Sequence, residues 1–443
     1  MHRRRCLTAL AALPLAACAA APRPRPPATI AAQRGGLWVD AGRERGAIGT
    51  LVYGSNTGPW QTVAPDQWRQ ARDAGMTLVR WPGGNWGDEN DATPTQLDEY
   101  IVVCRRYGFT PMVCVRLYEG TPERAAELVR LANVTRRYGI RHWAIGNEPD
   151  LFVKKRGAAV YNVDDYVRDF RAYRAAMKAV DPSIIVIGPE ISQYTAPTGY
   201  PTDVRGVPWM QGFLEAMAGD IDMVSFHRYP FGEPPPTPET LLAEPPAWTR
   251  AMASLRQQIR KTSGGRAIPI AITEANADWT GRVDTESGTN SHLNALWWTD
   301  VLGRLIDAGA HAVAQFCLGA IPQQGIGLFG PISYDTRPLP TFETYRLFGR
   351  FGQRLLASGS DDPTLPIVAA RRDDGALTVI AVNHAAQVRP LPLQVAGFTV
   401  DGPADVWSFA ENHRVRQSGG LAVDRLALEP RSATLLALQG RYS

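Results

Sequence analysis

Two glutamates follow short apolar segments, and their positions indicate acid–base and nucleophilic chemistry. Glu148 lies in the segment WAIGNEPD (143–150), where an apolar run ends at Gly146. Glu274 closes a second apolar run at 268–272. Cleavage of a glycosidic bond needs two carboxyl groups, one that protonates the leaving oxygen and one that attacks or stabilises the sugar cation. An α/β barrel collects its reactive groups at such strand ends.

The body of the chain alternates strand and helix, which predicts an α/β fold with a parallel barrel. Strands are predicted at Thr50–Tyr53, Thr77–Trp81, Pro111–Arg116, His142–Ile145, Ile184–Gly188, Met223–Phe226, Ile268–Thr273 and Ala312–Phe316. Helices are predicted over Asp66–Gly75, Thr95–Gly108, Pro122–Gly139, Val163–Val180, Trp209–Ala218, Trp248–Ser263, Ser291–Gly309 and Thr341–Leu355. Eight regular strand–helix units favour a closed (β/α)8 TIM barrel, over 48–356, against a doubly wound open sheet.

The pattern changes after Leu356. Short strand-like runs separated by Gly, Pro, Asp and Asn predict a C-terminal antiparallel β-sandwich over 357–443. The segment Leu37–Asp40 alternates like a strand but precedes the barrel. Since eight barrel strands leave it no place, residues 36–47 are predicted to contribute a strand to the sandwich.

The N-terminus has the pattern of a targeting segment. Residues 1–17 carry three arginines near their start, Arg3–Arg5, and continue with an apolar stretch too short to span a bilayer as a stable helix. The sequence Leu15-Ala16-Ala17-Cys18 resembles the bacterial lipobox, in which cleavage precedes a cysteine that then carries lipid. Residues 18–35 are a Pro/Ala/Arg-rich tether. The prediction is a lipid-anchored protein of the bacterial cell envelope; the alternative is an ordinary signal peptide cut at Ala17 or Ala20.

Charge and cysteine usage exclude other classes. The 47 basic and 43 acidic residues give a net charge of +4, which falls to +1 without the three arginines of the targeting segment. A near-neutral body argues against a nucleic-acid partner. Cys104, Cys114 and Cys317 have no metal-ligand spacing and are predicted to be small buried side chains. No metal and no cofactor are expected.

These motifs resemble glycoside hydrolase clan A, whose retaining barrel enzymes carry the acid/base and the nucleophile at the ends of the fourth and seventh strands. The triplet Asn147-Glu148-Pro149 ends the fourth predicted strand, and Glu274 ends the seventh. The segment RWPGGNW (80–86) is similar to families 44 and 51, and GNEPDLF (146–152) and ALWWTD (295–300) are similar to families 79 and 39. The resemblance implies a retaining β-glycosidase that acts on a carbohydrate without a cofactor.

The resemblance also implies roles for individual residues. Glu148 would be the general acid and then the general base, so its pKa should be raised. Glu274 would be the nucleophile, and Arg80 would hold its carboxylate oxygen. Asn147 would hydrogen-bond the sugar 2-hydroxyl, and Tyr229 would orient Glu274.

Further candidates lie at or near the same strand ends. His227 would contact the substrate or the acid, although a satisfied core histidine is as good an interpretation. Asn56 and Tyr118 are candidates for the site wall, as is Phe316, and Trp86 and Trp279 are candidates for sugar stacking. Glu190 is a competing acid at the fifth strand. Arg116 and Arg228 could bind a uronic acid carboxylate or form rim salt bridges.

Two other functions stay open at this point. A metal-dependent barrel hydrolase would need clustered histidines, and only His227 and His142 lie near strand ends. A catalytically inactive carbohydrate-binding lipoprotein would need no acids at all, so the presence of both Glu148 and Glu274 argues against it.

Overall fold

Eight parallel strands form a closed barrel in the computed structural model, which describes residues 36–195, 200–283, 285–320, 327–329, 337–422 and 426–443. The barrel strands, in order, are β2 Leu51–Asn56, β3 Leu78–Trp81, β4 Thr110–Val115, β5 His142–Ile145, β6 Ile185–Ile191, β7 Met223–Arg228, β8 Ile270–Ala275 and β9 Ala312–Gln315. The predicted fold class is confirmed. The targeting segment, the tether and Cys18 lie outside the described residues.

The helices lie between the barrel strands and beyond them. They are α1 Pro65–Asp73, α2 Trp86–Glu89, α3 Pro94–Tyr107, α4 Pro122–Val129, α5 Phe152–Lys155, α6 Val163–Val180, α7 Trp209–Met217, α8 Pro238–Ala243, α9 Pro246–Thr262, α10 His292–Asp307 and α11 Phe342–Phe348. A π-helical turn, Arg130–Thr135, continues α4, and a 3-10 turn, Pro149–Leu151, precedes α5. Thr93 and Thr121 cap α3 and α4, each followed by proline in the first turn.

Aliphatic and sulfur-containing side chains fill the barrel interior, so the barrel is a packed core and not a pore. The interior cluster is Leu51, Leu78, Met112, Cys114, Ala144, Ile187, Met223, Ala271, Ala312 and Ala314. Neighbouring residues on the same strands, such as Val113 and Ile272, point outward into the core shared with the helices. This alternation is what a strand period of two requires of a barrel covered by helices.

The remaining strands form a sheet with the order β14-β1-β10-β11-β12-β19-β16-β17. Their bounds are β1 Leu37–Ala47, β10 Arg354–Ser360, β11 Ile367–Arg371, β12 Leu377–Asn383, β14 Leu393–Ala396, β16 Ala404–Ala410, β17 His413–Leu421 and β19 Ser432–Leu438. Two short pairs complete the layer: β13 Arg389–Pro390 with β18 Ala427–Leu428, and β15 Phe398–Val400 with β20 Gly440–Tyr442. The N-terminal strand β1 lies inside the sheet, antiparallel to β10 and parallel to β14.

One expected element is wrong. The helix predicted over Thr341–Leu355 ends at Phe348, and β10 begins at Arg354. The expected boundary between residues 356 and 357 therefore falls inside a sheet strand. The apolar spacing of Phe348, Phe351 and Leu355 imitates a helical face because all three side chains contribute to one core.

The barrel and the sheet share that core. Along β12, Ile380 and Val382 join the cluster that contains the barrel helices, whereas Val379 and Ala381 join the cluster on the other face of the sheet. Helix α10 lies between the two layers, and its Trp297 and Trp298 are fully buried. The tryptophans of ALWWTD therefore belong to the core and not to a sugar-binding surface. Among the described residues, none of the helices has the length and apolarity needed to cross a membrane.

Candidate active site

The barrel brings Glu148 and Glu274 together at the carboxyl ends of its strands. Glu148 follows β5, and Glu274 lies near the end of β8. One oxygen of each carboxylate and one ring nitrogen of His227 all lie within 4.8 Å of one another. Both glutamates are buried, with 9% and 3% of their surface exposed. The two glutamates predicted from the strand ends are therefore adjacent in the structure.

Arg80 is fully buried beside this pair and donates hydrogen bonds to four side chains. Its Nη1 donates to Glu274 Oε1 at 2.7 Å and to Asn56 Oδ1 at 2.9 Å. Its Nη2 donates to Glu190 Oε2 at 2.7 Å and to Asn147 Oδ1 at 3.1 Å. Burial disfavours the charge, but Glu190 and Glu274 more than offset it and raise the pKa of Arg80. A permanent cation therefore lies between the two carboxylates.

Three donors fix the Glu274 carboxylate. Arg80 and the backbone N–H of Gly84 share Oε1, the latter at 2.9 Å, and the Tyr229 hydroxyl donates to Oε2 at 2.9 Å. Gly84 has φ +64, and an added Cβ would lie 3.1 Å from the Phe316 ring. The second glycine of the PGG segment is needed because the backbone must approach both the ring and the carboxylate closely.

His227 faces all three buried glutamates. Its Nδ1 lies 3.3 Å from Glu148 Oε1 and 3.6 Å from Glu274 Oε2, and its Nε2 lies 3.4 Å from Glu190 Oε2. Burial would lower the pKa of the imidazole, but the carboxylates, Glu274 foremost, raise it to about 10. His227 has no exposed surface, so it contacts the acid and not a substrate.

The pKa of Glu148 was expected to be raised, but the charges around it lower it. Burial acts in the expected direction, but the hydrogen bond and charge of His227, with Lys155, lower the pKa of Glu148 to about 2. The half-exposed Lys155 donates from Nζ to Glu148 Oε2 at 3.2 Å. His227 therefore competes with Glu148 for the proton that a general acid would need.

Glu190 is a third carboxylate in the same cluster, and it is completely buried. Besides Arg80 and His227, it accepts a hydrogen bond from Thr273 Oγ1 at 2.9 Å. Burial opposes its ionisation, but Arg80 lowers its pKa to about 2. Because its side chain has no exposed surface, Glu190 cannot touch a substrate, and the alternative in which it is the acid fails.

Asn56 and Tyr118 were both predicted to line the site wall, and the structure contradicts the prediction for Asn56. Asn56 is fully buried, so the prediction that it lines the wall is wrong. It donates from Nδ2 to the Thr273 carbonyl at 2.9 Å and accepts from Arg80, and so it supports the cluster from below. Tyr118 donates its hydroxyl to the Arg156 carbonyl at 2.6 Å and packs edge-on against Phe152.

Aromatic rings surround the opening. Trp279 is 59% exposed, and its indole lies against Gly232 on the loop after β7. Trp86 is half-buried at the start of α2. Trp60 was not among the sequence candidates; its ring stacks on Phe316 with centroids 5.6 Å apart, and its Nε1 donates to the Gly83 carbonyl.

Arg116 and Arg228 form ion pairs within the protein. Arg116 lies near Asp91 and Glu119 at 3.4 and 3.3 Å. Arg228 is buried against Glu244 at 2.5 Å and over the Trp248 ring. Of the two interpretations of these arginines, the geometry matches the salt bridge in both cases.

The atoms of Glu148, His227 and Glu274 are close enough to hold a cation. A cation there would have to displace the proton of His227 and lie beside Arg80 and Lys155. We therefore do not assign these residues as metal ligands. His142, the other histidine considered, begins β5 and so lies at the opposite end of the barrel strand from Glu148.

Sequence reasoning missed Lys155, Gly84, Thr273 and Ser225. Ser225 accepts a hydrogen bond from the backbone N–H of Glu190 at 3.2 Å. Thr273 and Ser225 are polar residues within apolar barrel strands, next to Glu274 and two positions before His227, and that position was the available signal. Gly84 could have been found from the paired glycines after Pro82. No sequence pattern marks Lys155 as a partner of Glu148.

Comparison with known proteins identifies the fold. No protein-family model matches the chain. The α-L-arabinofuranosidase of family GH51 from Thermotoga petrophila RKU-1 superposes with a TM-score of 0.74 at 18% identity, covering 91% of this chain and 100% of that one. A family 44 xyloglucanase from Paenibacillus polymyxa superposes with a TM-score of 0.70 at 16% identity, covering 92% and 99%. The chain has the fold of the clan A glycoside hydrolases.

Sequence comparison leads to the same group of proteins. A β-xylosidase from Geobacillus stearothermophilus is 25% identical over 271 residues, 56% of this chain and 48% of the relative. Heparanase from Bos taurus is 24% identical over 229 residues, 50% of this chain and 38% of the relative. The chain thus spans half or less of the length of these curated relatives. The resemblance to clan A that the motifs indicated is confirmed.

Proposed function

We propose that this protein is a retaining β-glycoside hydrolase that works by double displacement. The observation that carries the proposal is the Glu148–Glu274 pair, in which one oxygen of each carboxylate lies within 4.8 Å of the other. Retaining enzymes place their carboxyl groups ~5–5.5 Å apart, whereas inverting enzymes leave ~6.5–9.5 Å for a water molecule. The close spacing supports attack by a carboxylate.

In the first step, Glu274 attacks the anomeric carbon while Glu148 protonates the leaving oxygen. The bond from carbon to the leaving oxygen breaks, and an ester bond to Glu274 forms. Arg80, the Gly84 N–H and the Tyr229 hydroxyl hold the Glu274 carboxylate for this attack. In the second step, Glu148, now ionised, removes a proton from water, which attacks the same carbon and releases Glu274.

Asn147 is suited to bind a hydroxyl of the reacting sugar. Arg80 holds its carbonyl oxygen, and its Nδ2 points to Asn85, an exposed residue, at 3.5 Å. The sugar 2-hydroxyl could replace Asn85 as the acceptor of this hydrogen bond, which would then tighten in the transition state. Trp279 and Trp86 provide aromatic faces on which neighbouring sugars could stack.

The proposed substrate is a polysaccharide or oligosaccharide of the cell envelope or its surroundings. The similar proteins are named a β-xylosidase, a heparanase and a xyloglucanase, and these names support a carbohydrate substrate. The proposed location follows from the lipobox: cleavage before Cys18 and lipidation would hold the barrel at the envelope membrane.

The test is turnover of chromogenic β-glycosides and extracellular polysaccharides, with NMR of the first anomer released. A β-configured initial product supports the mechanism. Binding of glycans without turnover on the whole panel would favour the inactive carbohydrate-binding alternative. Loss of turnover after dialysis against EDTA, with recovery on addition of a divalent metal, would favour the metal-dependent one.

A further inference from the structure

The two-carboxylate mechanism uses Glu148 and Glu274 and leaves Glu190 without a role. Glu190 is nonetheless a fully buried carboxylate held by Arg80 at 2.7 Å and by the Thr273 hydroxyl at 2.9 Å. A buried charge is costly to maintain unless its partners compensate for it. Its third partner is His227, through Nε2.

The imidazole of His227 connects Glu190 to the reacting pair through opposite nitrogens. Nε2 faces Glu190 at 3.4 Å, and Nδ1 faces Glu148 at 3.3 Å. When only one ring nitrogen carries a proton, the hydrogen bond to the other partner decides which nitrogen it is. Ionised Glu190 can only accept hydrogen bonds. It therefore keeps a proton on Nε2 of His227, and Nδ1 is free to give or take a proton.

The backbone fixes Glu190 and Glu148 relative to each other. Both residues have positive φ, +56 and +50, which non-glycine residues rarely adopt. The backbone N–H of Glu148 donates to the carbonyl of Glu190 at 2.9 Å. Strained backbone persists where the surroundings fix it, often at functional sites.

We propose that Glu190 is a positioning residue that acts through His227: it keeps one proton shared between His227 Nδ1 and Glu148. With the proton on Nδ1, His227 is an imidazolium and Glu148 is ionised. When the proton passes from Nδ1 to Glu148 Oε1, the N–H bond breaks, the O–H bond forms, and His227 becomes neutral with its remaining proton on Nε2 toward Glu190. Glu148 is then ready to protonate a leaving oxygen. This inference rests on the proposed function.

The charges around His227 agree with one shared proton. The groups that face it or its partners are Glu190, Glu148, Glu274, Arg80, Tyr229, Lys155, Asp150, Cys114 and Cys317. Asp150, whose pKa burial raises to about 6, lies against Ser192 and does not contact His227. Among the other charged groups, Glu190 and Glu274 balance Arg80 and Lys155. The remaining pair, Glu148 and His227, is neutral overall only when it holds that proton.

The test is Glu190→Gln, which keeps the shape of the side chain and removes its charge. With less negative charge near His227, the shared proton should leave at lower pH. The alkaline limb of the kcat/KM profile should move down by about one pH unit or more, a roughly tenfold loss of kcat/KM above the limb. The matched control is Asp300→Asn, because Asp300 is also a buried carboxylate that faces a histidine, His384 at 3.5 Å, but outside this cluster.

A readout independent of activity is the nitrogen NMR spectrum of histidine-labelled protein, in which His227 is assigned by comparison with His227→Gln. At pH 7, His227 should carry protons on both nitrogens in the wild type, and a titration of these signals should show that the Nδ1 proton leaves at a pH about one unit lower, or more, in Glu190→Gln. A uniform loss of activity at every pH with unchanged His227 signals would show that Glu190 only supports Arg80, and would overturn the proposal. If Glu190→Gln does not fold, a neutral His227 at pH 7 in the wild type overturns it. If no glycoside is cleaved, the proposed function fails while the NMR result still decides the proton position.

Discussion

At the scale of single residues, the site is a set of mutually compensating buried charges. Arg80 pairs with two carboxylates, and His227 lies close to three. Removing one partner of a buried ion pair leaves an uncompensated charge, which is far more costly than losing an exposed pair. Substitutions in this cluster should therefore change the protonation of the residues that remain.

The two reacting glutamates should respond differently to truncation. We expect Glu274→Ala to abolish turnover of every substrate, because no ester intermediate can form. Glu148→Ala should cost ~10²–10⁴-fold on poor leaving groups and much less on activated ones, since an activated group needs no proton. Azide should rescue Glu148→Ala and yield a β-glycosyl azide, measured by NMR.

The control for this pair is Glu119→Ala. Glu119 is an exposed carboxylate on the loop after β4, paired only loosely with Arg116 at 3.3 Å. It should retain wild-type kinetics. An α-configured initial product from the wild type, or full activity of Glu274→Ala, would show that the roles are wrongly assigned.

At the scale of elements, the loop after β3 helps to hold the Glu274 carboxylate in addition to connecting β3 with α2. It delivers the Gly84 N–H to Glu274 in a left-handed conformation. Gly84→Ala should cost about 1–2 kcal/mol in backbone strain and move the N–H away from the carboxylate, because the new Cβ meets the Phe316 ring. We expect kcat to fall by more than the loss of stability explains. Steady-state kinetics and thermal unfolding of the same variant measure the two effects.

Gly139→Ala is the matched variant. Gly139 has φ +70, and no atom lies within 4 Å of an added Cβ, so the substitution produces similar strain without a clash. It should lower the midpoint of thermal unfolding by a similar amount and leave kcat unchanged. Equal kcat in both variants would count against a role of the Gly84 N–H.

Prediction from sequence worked where burial alone decides the pattern. The runs around Trp143 and Ile272 are buried on both sides of the barrel wall, so they are apolar without interruption. The first polar residue after each run therefore indicates where the strand ends. It failed where several elements share one core, as at Leu355, whose apolar spacing suited a helix. It also failed for Asn56: a polar residue at a strand end looks the same in sequence whether it faces a substrate or a buried arginine.

At the scale of the whole molecule, the barrel and the sheet should unfold together. Residues of β12 belong to the core of both layers, and β1 precedes the barrel but pairs beyond it. We expect one transition when circular dichroism and activity are followed during heating. Val39→Asp, at a fully buried position of β1, should lower that single midpoint, whereas Arg43→Asp, at an exposed position of the same strand, should not. Two separate transitions would contradict the shared core.

The buried cluster also predicts how stability depends on pH. The pKa of His227 is raised from 6.5 to about 10, so its contribution is complete below pH 6.5 and is lost as the pH rises to about 10. The pKa values of Glu148 and Glu190 are lowered from 4.5 to about 2, so their contribution is complete above pH 4.5 and is lost as the pH falls to about 2. The free energy of unfolding, measured with urea, should fall between pH 7 and 10, and the fall should be smaller in His227→Gln. An equal fall in both proteins would show that deprotonation of His227 does not cause the loss of stability.

Anchoring is the remaining prediction for the whole chain. If the lipobox is used, the mature protein begins at Cys18 and carries lipid, and at least two acyl chains are needed for a stable anchor. Cys18→Ser should release soluble protein or leave the precursor uncleaved. Mass spectrometry of the purified protein decides the point: an unmodified N-terminus beyond Cys18 rules the anchor out.

The position of β1 has a consequence for biogenesis. Leu37 pairs with Ser360 and Leu393, so β1 meets its first neighbour, β10, only after roughly 320 further residues have been synthesised. At ~5–20 residues per second this delay is tens of seconds. During that time the nascent chain presents an unpaired apolar edge, a known risk for aggregation. A holding chaperone, or passage through a translocation pore before folding, would protect this segment until the last strands arrive.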